Sequence, residues 1–380
     1  GYFCNTSGGA FTVNLPAGSA GAIVSVADYT RTFQTNALIV SPNGTEKLGG
    51  VNANATLSTE GQSVTFVYVD ATEGWINVQD STSAVQGRLV TPFIIATVSG
   101  ACNTLATSGD CKIATFTGPG TFCVTNEGTG SNQVVSHMVI AGGGGGGHDD
   151  GGGGGAGGFR ENESPVTPYT QSPLAGGTAV TISSASAIPI TVGAGGVGGV
   201  PTVTCNATQG SSSIFSTITS AGGGLGGRGA PTGGPGGSGG GGGEAVPGGT
   251  GNTPPVSPSQ GNNGGTGGGA NASAGGGGAG AVGSNGISSP AGGGAGGAGV
   301  TTEINGSPVT RSGGGGGGGF NTPGAGGSGG GGSGGKYPST QATAGTVNTG
   351  GGGGGGSTNT GPRDGKSGGS GIVIIRYKFQ

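Results

Sequence analysis

Side chains able to do chemistry are scarce in this 380-residue sequence: 15 Asp and Glu, 12 Lys and Arg, two His and five Cys. Nucleophilic catalysis needs a Ser or Cys beside a base that is itself oriented by a third group. Neither His137 nor His148 sits in such a motif, and the carboxylates are too scattered to suggest a hydrolytic pair. No enzyme is expected. The densest polar cluster, His148-Asp149-Asp150, breaks a run of glycines and has metal-ligand types. No further ligands are spaced around it, so it reads as a solvated turn and no metal is expected. Matches to G-x-G-x-x-G abound, but a dinucleotide site needs a helix after the turn, and no helical pattern follows. No cofactor is expected. The cysteines, Cys4, Cys102, Cys111, Cys123 and Cys205, fit no zinc spacing, and their odd number leaves at least one unpaired in a monomer. With 7% charged residues and a net charge of −3, nothing suggests electrostatic binding to nucleic acid or anionic lipid. No apolar run approaches the ~18 residues of a membrane span.

If the chain binds a partner, the side chains set between the glycine runs must do it. The candidate binding residues lie between glycine runs: His148, Asp149 and Asp150; Arg160, Glu161 and Tyr169; Glu303 and Arg311; Phe320; Lys336 and Tyr337; Arg363, Asp364 and Lys366. Glycine offers only backbone, so discrimination between ligands must come from these side chains. Segments 160–176, 244–263, 285–290, 300–311, 336–348 and 357–366 read as loops between runs. The aromatics Phe159, Tyr169, Phe320 and Tyr337 lie at or beside loops, where they can stack on a ligand or close the ends of a glycine layer.

The elements that hold these residues are set by glycine. Of 105 glycines, 17 precede position 141 and 88 follow. Runs at 142–158, 193–199, 222–243, 264–281, 291–299, 313–335, 350–356 and 367–371 keep no Gly-X-Y period, which excludes collagen. Disorder is the other compositional reading. Against it stand β-branched segments bounded by glycine at 132–140, 188–192, 211–219 and 371–379. Ordering glycine costs more backbone entropy than ordering any other residue. Dense packing of extended runs is therefore needed, each run using N–H···O and Cα–H···O contacts and clamped by the strands.

Ahead of the runs, 1–80 alternates short strands and turns, with 63–69 the clearest strand. Residues 81–131 hold a second β piece, in which 111–116 and 121–125 flank Thr117-Gly118-Pro119-Gly120, a hairpin signal. A two-residue loop would place Cys111 and Cys123 on opposite faces of that ribbon, and a three- or five-residue loop on one. The expected fold is all-β: a β-rich module at 1–80, a hairpin connecting module at 81–131, and a glycine-rich domain of packed polyproline-II helices at 132–380.

Three stretches together resemble marine bacteriophage tail-fibre proteins. They are 1–78 (GYFCNTSGGAFTVNLPAG, VADYTRTFQTNALIVSPNG, LSTEGQSVTFVYVDATEGWINV), 107–124 (TSGDCKIATFTGPGTFCV), and the glycine-rich part with VSHMVIAGGGGGGHDDGGGGGAGGFRE, ITVGAGGVGG, SSSIFSTITSAGGG and the terminal GGSGIVIIRY. Cys4, Cys111 and Cys123 depart from the family pattern. The resemblance implies a non-enzymatic virion fibre outside the cell, a homotrimer joined to other tail proteins through its N-terminal side. It makes 1–80 the fibre module and 132–380 the distal domain. It implies loops that recognise a host-surface glycan or outer-membrane protein. An ice-binding polyproline-II protein would need a flat, loop-free face, and a structural fibre or head-decoration protein is the other alternative.

Overall fold

The computed structural model describes residues 1–81, 92–201, 207–228, 232–358 and 363–380. The fold is all-β; among the described residues the only helical element is a 3-10 turn at Gly130–Gln133. The chain forms two compact units, Gly1–Val90 and Thr91–Gln380.

The first unit is built from β1 (Tyr2–Cys4), β2 (Phe11–Asn14), β3 (Ile23–Asp28), β4 (Leu38–Ser41), β5 (Ala55–Leu57), β6 (Ser63–Asp70) and β7 (Gly74–Ser81). A sheet ordered β1-β3-β6-β7 faces a sheet ordered β2-β4-β5. Alternation along β3 and β6 turns Val24, Val26, Val64 and Phe66 inward, where they pack with Phe33, Leu38 and Trp75. The Trp75 indole N–H donates to Glu46 Oε2 at 3.3 Å, which pairs the polar edge of a buried ring.

The second unit contains β8 (Ile94–Ser99), β9 (Thr104–Ser108), β10 (Cys111–Phe116), β11 (Gly120–Glu127), β12 (Val134–Ile140), β13 (Phe159–Asn162), β14 (Val180–Thr181), β15 (Ala187–Thr191), β16 (Ser213–Phe215) and β17 (Ile218–Ser220). It continues with β18 (Ile287–Ser288), β19 (Ala291–Gly292), β20 (Val300–Thr302), β21 (Val309–Arg311) and β22 (Ile372–Lys378). One sheet runs β13-β12-β22-β10-β9 and a second runs β17-β16-β15-β11-β8. Val139, Val373, Ile375 and Tyr377 pack between them against Phe116, Phe122 and Phe215. The opposite face of the first sheet carries Met138, Ile140, Phe159, Ile372 and Ile374, covered by Val300 and Ile304. Burial on both faces is why 372–375 is an unbroken apolar run.

Two expectations are corrected. The strands flanking Thr117–Gly120 do not pair with each other. Both edges of β10 are occupied, by β9 and β22, so β11 crosses into the other sheet between β8 and β15. Asn103 steers this crossing, its Oδ1 accepting from the N–H groups of Thr117 and Gly118 at 3.1 and 3.3 Å. The hairpin module expected at 81–131 is therefore not separate: β9 to β11 are integral to the sheets of the second unit. Its opening residues, 82–91, lie outside the described residues. Cys4, Cys102, Cys111 and Cys123 are unpaired, and Cys205 lies outside the described residues.

The glycine runs form a bundle with a three-residue repeat. In the run 141–147, Gly142 and Gly145 donate to Ser211 and Thr208, Gly143 and Gly146 to Gly369 and Lys366, and Gly144 and Gly147 to Gly155 and Gly152. These three neighbours are antiparallel. The carbonyls of the same residues accept, in the same rotation, from Gly223 and Gly226, from Gly196 and Gly199, and from Gly353 and Gly356, which lie on three parallel neighbours. Partners that recur every third residue are the signature of polyproline-II, which has three residues per turn and no internal hydrogen bonds. Run 141–147 is thus enclosed by six others, with every N–H and C=O from 142 to 147 paired. A Cβ on any of Gly142 to Gly147 would overlap a carbonyl of one of the parallel neighbours. Glycine is required there for close approach.

The strands and the bundle are one ladder. β12 pairs β22 through Ile140 and Ile372, and the same register continues as Gly143 bonds Gly369 and Gly146 bonds Lys366. β12 pairs β13 through Ile140 and Phe159, and that register continues as Gly144 bonds Gly155 and Gly147 bonds Gly152. Some segments expected as loops also join the bundle: at 342–346, Thr343 and Thr346 donate to Ser333 and Gly330.

Candidate functional site

The bundle sorts the candidate residues to two ends. At the clamp end, beside the sheets, lie Arg160, Glu161, Tyr169, Glu303 and Arg311. The other end, where run 141–147 turns into run 151–158, gathers His148, Asp149, Asp150, Phe320, Lys336, Tyr337, Arg363, Asp364 and Lys366. Gly318 donates to Gly151 there, and Gly319 to Gly335, which ties the segments at 320 and 336 to the turn.

The turn itself differs from expectation: His148, Asp149 and Asp150 are buried, not solvated. Asp149 and Asp150 have φ of 49° and 51°, the left-handed conformation that reverses the chain within three residues and that Asp tolerates better than most. Arg363 grips Asp149 with two nitrogens, Nε to Oδ1 and Nη2 to Oδ2 at 2.9 Å, and accepts the Asp149 N–H on its own carbonyl. His148 Nδ1 lies 3.0 Å from Asp149 Oδ2, and Arg228 Nη2 lies 3.8 Å from it. Burial pushes the Asp149 carboxyl up, but hydrogen bonds and charge from Arg363 and His148 outweigh it and hold it below the usual carboxylate range.

Asp150 behaves oppositely. Burial, then the charge and hydrogen bond of Glu244, then the charge of Asp149, push its carboxyl up to about 7. The folded chain keeps a proton that the unfolded chain releases near 3.8. That contribution to stability is complete below the unfolded pKa and is lost as pH rises to about 7. Asp150→Asn preserves a donor toward Glu244 without the ionisation. The advantage of the variant over the wild type in thermal midpoint is expected to grow from pH 4 to pH 7 and then level off. Melts across pH 4–8 check this, and a pH-independent difference would reject it.

Beyond the turn, loops are stitched to each other. Asn271 N donates to Glu244 Oε1 at 2.8 Å, Phe320 N to Asn271 O at 3.2 Å, and Asn321 N to Ala291 O at 2.8 Å. Lys336 and Thr340 exchange backbone hydrogen bonds, which closes a turn and lays Tyr337 on Phe320, with centroids 4.7 Å apart and planes 9° from parallel. Phe320 remains 38% exposed. Sequence reading missed Arg228 and Glu244, although both are isolated charges flanking glycine runs, the signal that singled out Arg160 and Arg363.

At the clamp end the candidate side chains serve the fold. Glu161 is buried; its Oε1 accepts from the Tyr169 and Thr302 hydroxyls and its Oε2 from Ser172 N at 3.1 Å. Burial, then the Glu161 carboxylate, drives the Tyr169 phenol far above its usual range. Arg311 is buried, and desolvation lowers its pKa with partial offset from Glu161. Glu303 accepts from the Thr170 hydroxyl at 2.7 Å, and Phe159 is in the core. Buried His137 is pushed down to about 4 by desolvation and by the charge of Arg160, so it is neutral at pH 7. Among the described residues, no three His, Cys, Asp or Glu side chains come together as a metal site.

A search of curated proteins found no match to this chain. A family model described as a glycine-rich domain matches residues 115–378, a span that takes in the whole run bundle and all of the strand that closes it. The chain belongs to the glycine-rich domain family.

Proposed function

We propose that this chain is a non-enzymatic adhesin subunit of a phage tail fibre, exposed on the virion outside the cell, with the bundle serving as a rigid mount for recognition loops. The observation that carries this reading is the end opposite the clamp sheets. There, the segments around 244, 271, 291, 320 and 336 are joined by hydrogen bonds and present the Phe320–Tyr337 stack, Lys336 and the hairpin of β18 and β19. Loops fixed before binding lose little conformational entropy on contact, so weak individual contacts suffice when many copies act together. The partner is a host-surface glycan or outer-membrane protein.

Fibres with 320–323 and 336–340 scrambled are expected to stay folded and to lose adsorption to cells that bind the wild type. Adsorption at an unchanged rate would replace this reading with that of a structural fibre. By the same reading, residues 1–131 assemble as a homotrimer and join other tail proteins on the N-terminal side. Light scattering of the full chain at micromolar concentration is expected to give three times the 34.8 kDa of one chain; a monomer would reject the trimer.

A further inference from the structure

An open pocket of about 420 Å³ lies at the clamp end, lined by Asn162, Glu163, Pro165, Gln171, Ala175 and Gly176. That volume is within the range of small-ligand sites, which run from about 300 to 1,000 Å³. Its walls are held in place. Ser164 N donates to Ser136 Oγ at 2.8 Å, the Ser136 and Thr167 hydroxyls are 2.6 Å apart, and Gly176 N donates to Glu161 O at 2.9 Å. Tyr169 N donates to Glu163 Oε1 at 2.8 Å, which fixes that carboxylate at the rim.

The surrounding polar side chains, those of Glu161, Ser136, Thr167 and Tyr169, are all engaged in hydrogen bonds within the chain. Those on the pocket wall are not. Gln171 makes no hydrogen bond among the described residues, and Asn162 Oδ1 accepts none while its Nδ2 makes only a 3.4 Å bond to Gly177 O. Glu163 keeps its second carboxylate oxygen free. Two carboxamides and a carboxylate with unused capacity therefore converge on one preformed pocket.

We infer that this pocket binds a neutral sugar residue. A carboxylate accepts from paired hydroxyls, and carboxamides both donate and accept, which matches a polyol with alternating donors and acceptors. Among the described residues, no cation is part of the wall to hold a phosphate or carboxylate, and Glu163 repels them. The apolar lining is Pro165 and Ala175, too small a surface for an acyl chain. This site is at the opposite end of the bundle from the loops of the adhesin reading and stands independently of it.

Saturation-transfer NMR on the full chain, with the methyl glycosides of glucose, galactose, mannose and N-acetylglucosamine at millimolar concentration, tests the inference. Transfer to at least one is expected. Gln171→Ala and Glu163→Gln are each expected to weaken it at least tenfold with the thermal midpoint unchanged in Gln171→Ala. Tyr337→Ala, at the far end, is expected to leave it intact. Transfer to none of the four glycosides, or transfer that survives both pocket variants, overturns the inference. Loss in Tyr337→Ala alone moves sugar binding to the distal loops, which refutes this pocket while leaving the adhesin reading in place.

Discussion

Gly145→Ala is expected to destabilise the second unit by more than ~3 kcal/mol, at or beyond the upper end of ordinary overpacking costs. The added Cβ would overlap the carbonyl oxygen of Val197, and the atom in its way is backbone, not the end of a flexible side chain. Relief requires run 193–199 to move away. That run bonds run 141–147 through Gly196 and Gly199 and run 363–370 through Gly365 and Gly368, so the displacement propagates. Gly118→Ala is the matched control. A Cβ there meets nothing nearer than Ala101 O at 3.8 Å, so the change is expected to be neutral. Denaturant unfolding of both variants checks the pair. Equal midpoints would mean that the runs are not packed as closely as the structure shows.

Val373→Asp is expected to cost on the order of 4 kcal/mol, enough to remove much of the stability of an ordinary domain. Val373 is fully buried in β22 and pairs Phe116 on one side and Val139 on the other. A carboxylate there has no cation to pair with among the core residues around it. The consequence extends past the strand. Register between strands is set by side chains that must face a core, and glycine-rich strands specify it weakly. Runs 141–147 and 363–370 inherit their register from β12 and β22, so loosening β22 frees the runs to slip. Amide exchange reads this directly: protection at Gly143, Gly146 and Gly369 is expected to fall together with that of β22. Retained protection in the runs after loss of the strand would show that the bundle holds its own register.

Much of the secondary structure was legible in the sequence. The strands at 63–69, 132–140 and 371–379 appear as β6, β12 and β22, with boundaries shifted by one or two residues. Other segments were partly legible. The stretch 211–219 is two strands, β16 and β17, because Ser216 takes a left-handed φ of 52° that β propensity does not reveal. The residues of the candidate site were legible as isolated charges and aromatics among glycines, but their exposure was not. Asp149 is buried because Arg363, 214 positions along the chain, closes over it. Glu161 is buried because Thr302, 141 positions away, bonds its carboxylate.

What the sequence determined by itself is local. β-branched runs between glycines favour strands, runs without Cβ atoms favour extended backbone that can approach other backbone closely, and no stretch carries a helical period. What only the tertiary structure decided is adjacency. One glycine run is chemically much like another, so nothing local states that 141–147 takes six particular neighbours or which of them run parallel. The same holds at Thr117–Gly120, where the turn chemistry suits a hairpin. The chain crosses between sheets instead because the edge that β11 would need is filled by β22, a strand more than 250 residues later. Backbone hydrogen bonds carry no residue identity. In a bundle made of them, the few side chains in the clamping strands and at the turns select one arrangement among many of similar energy.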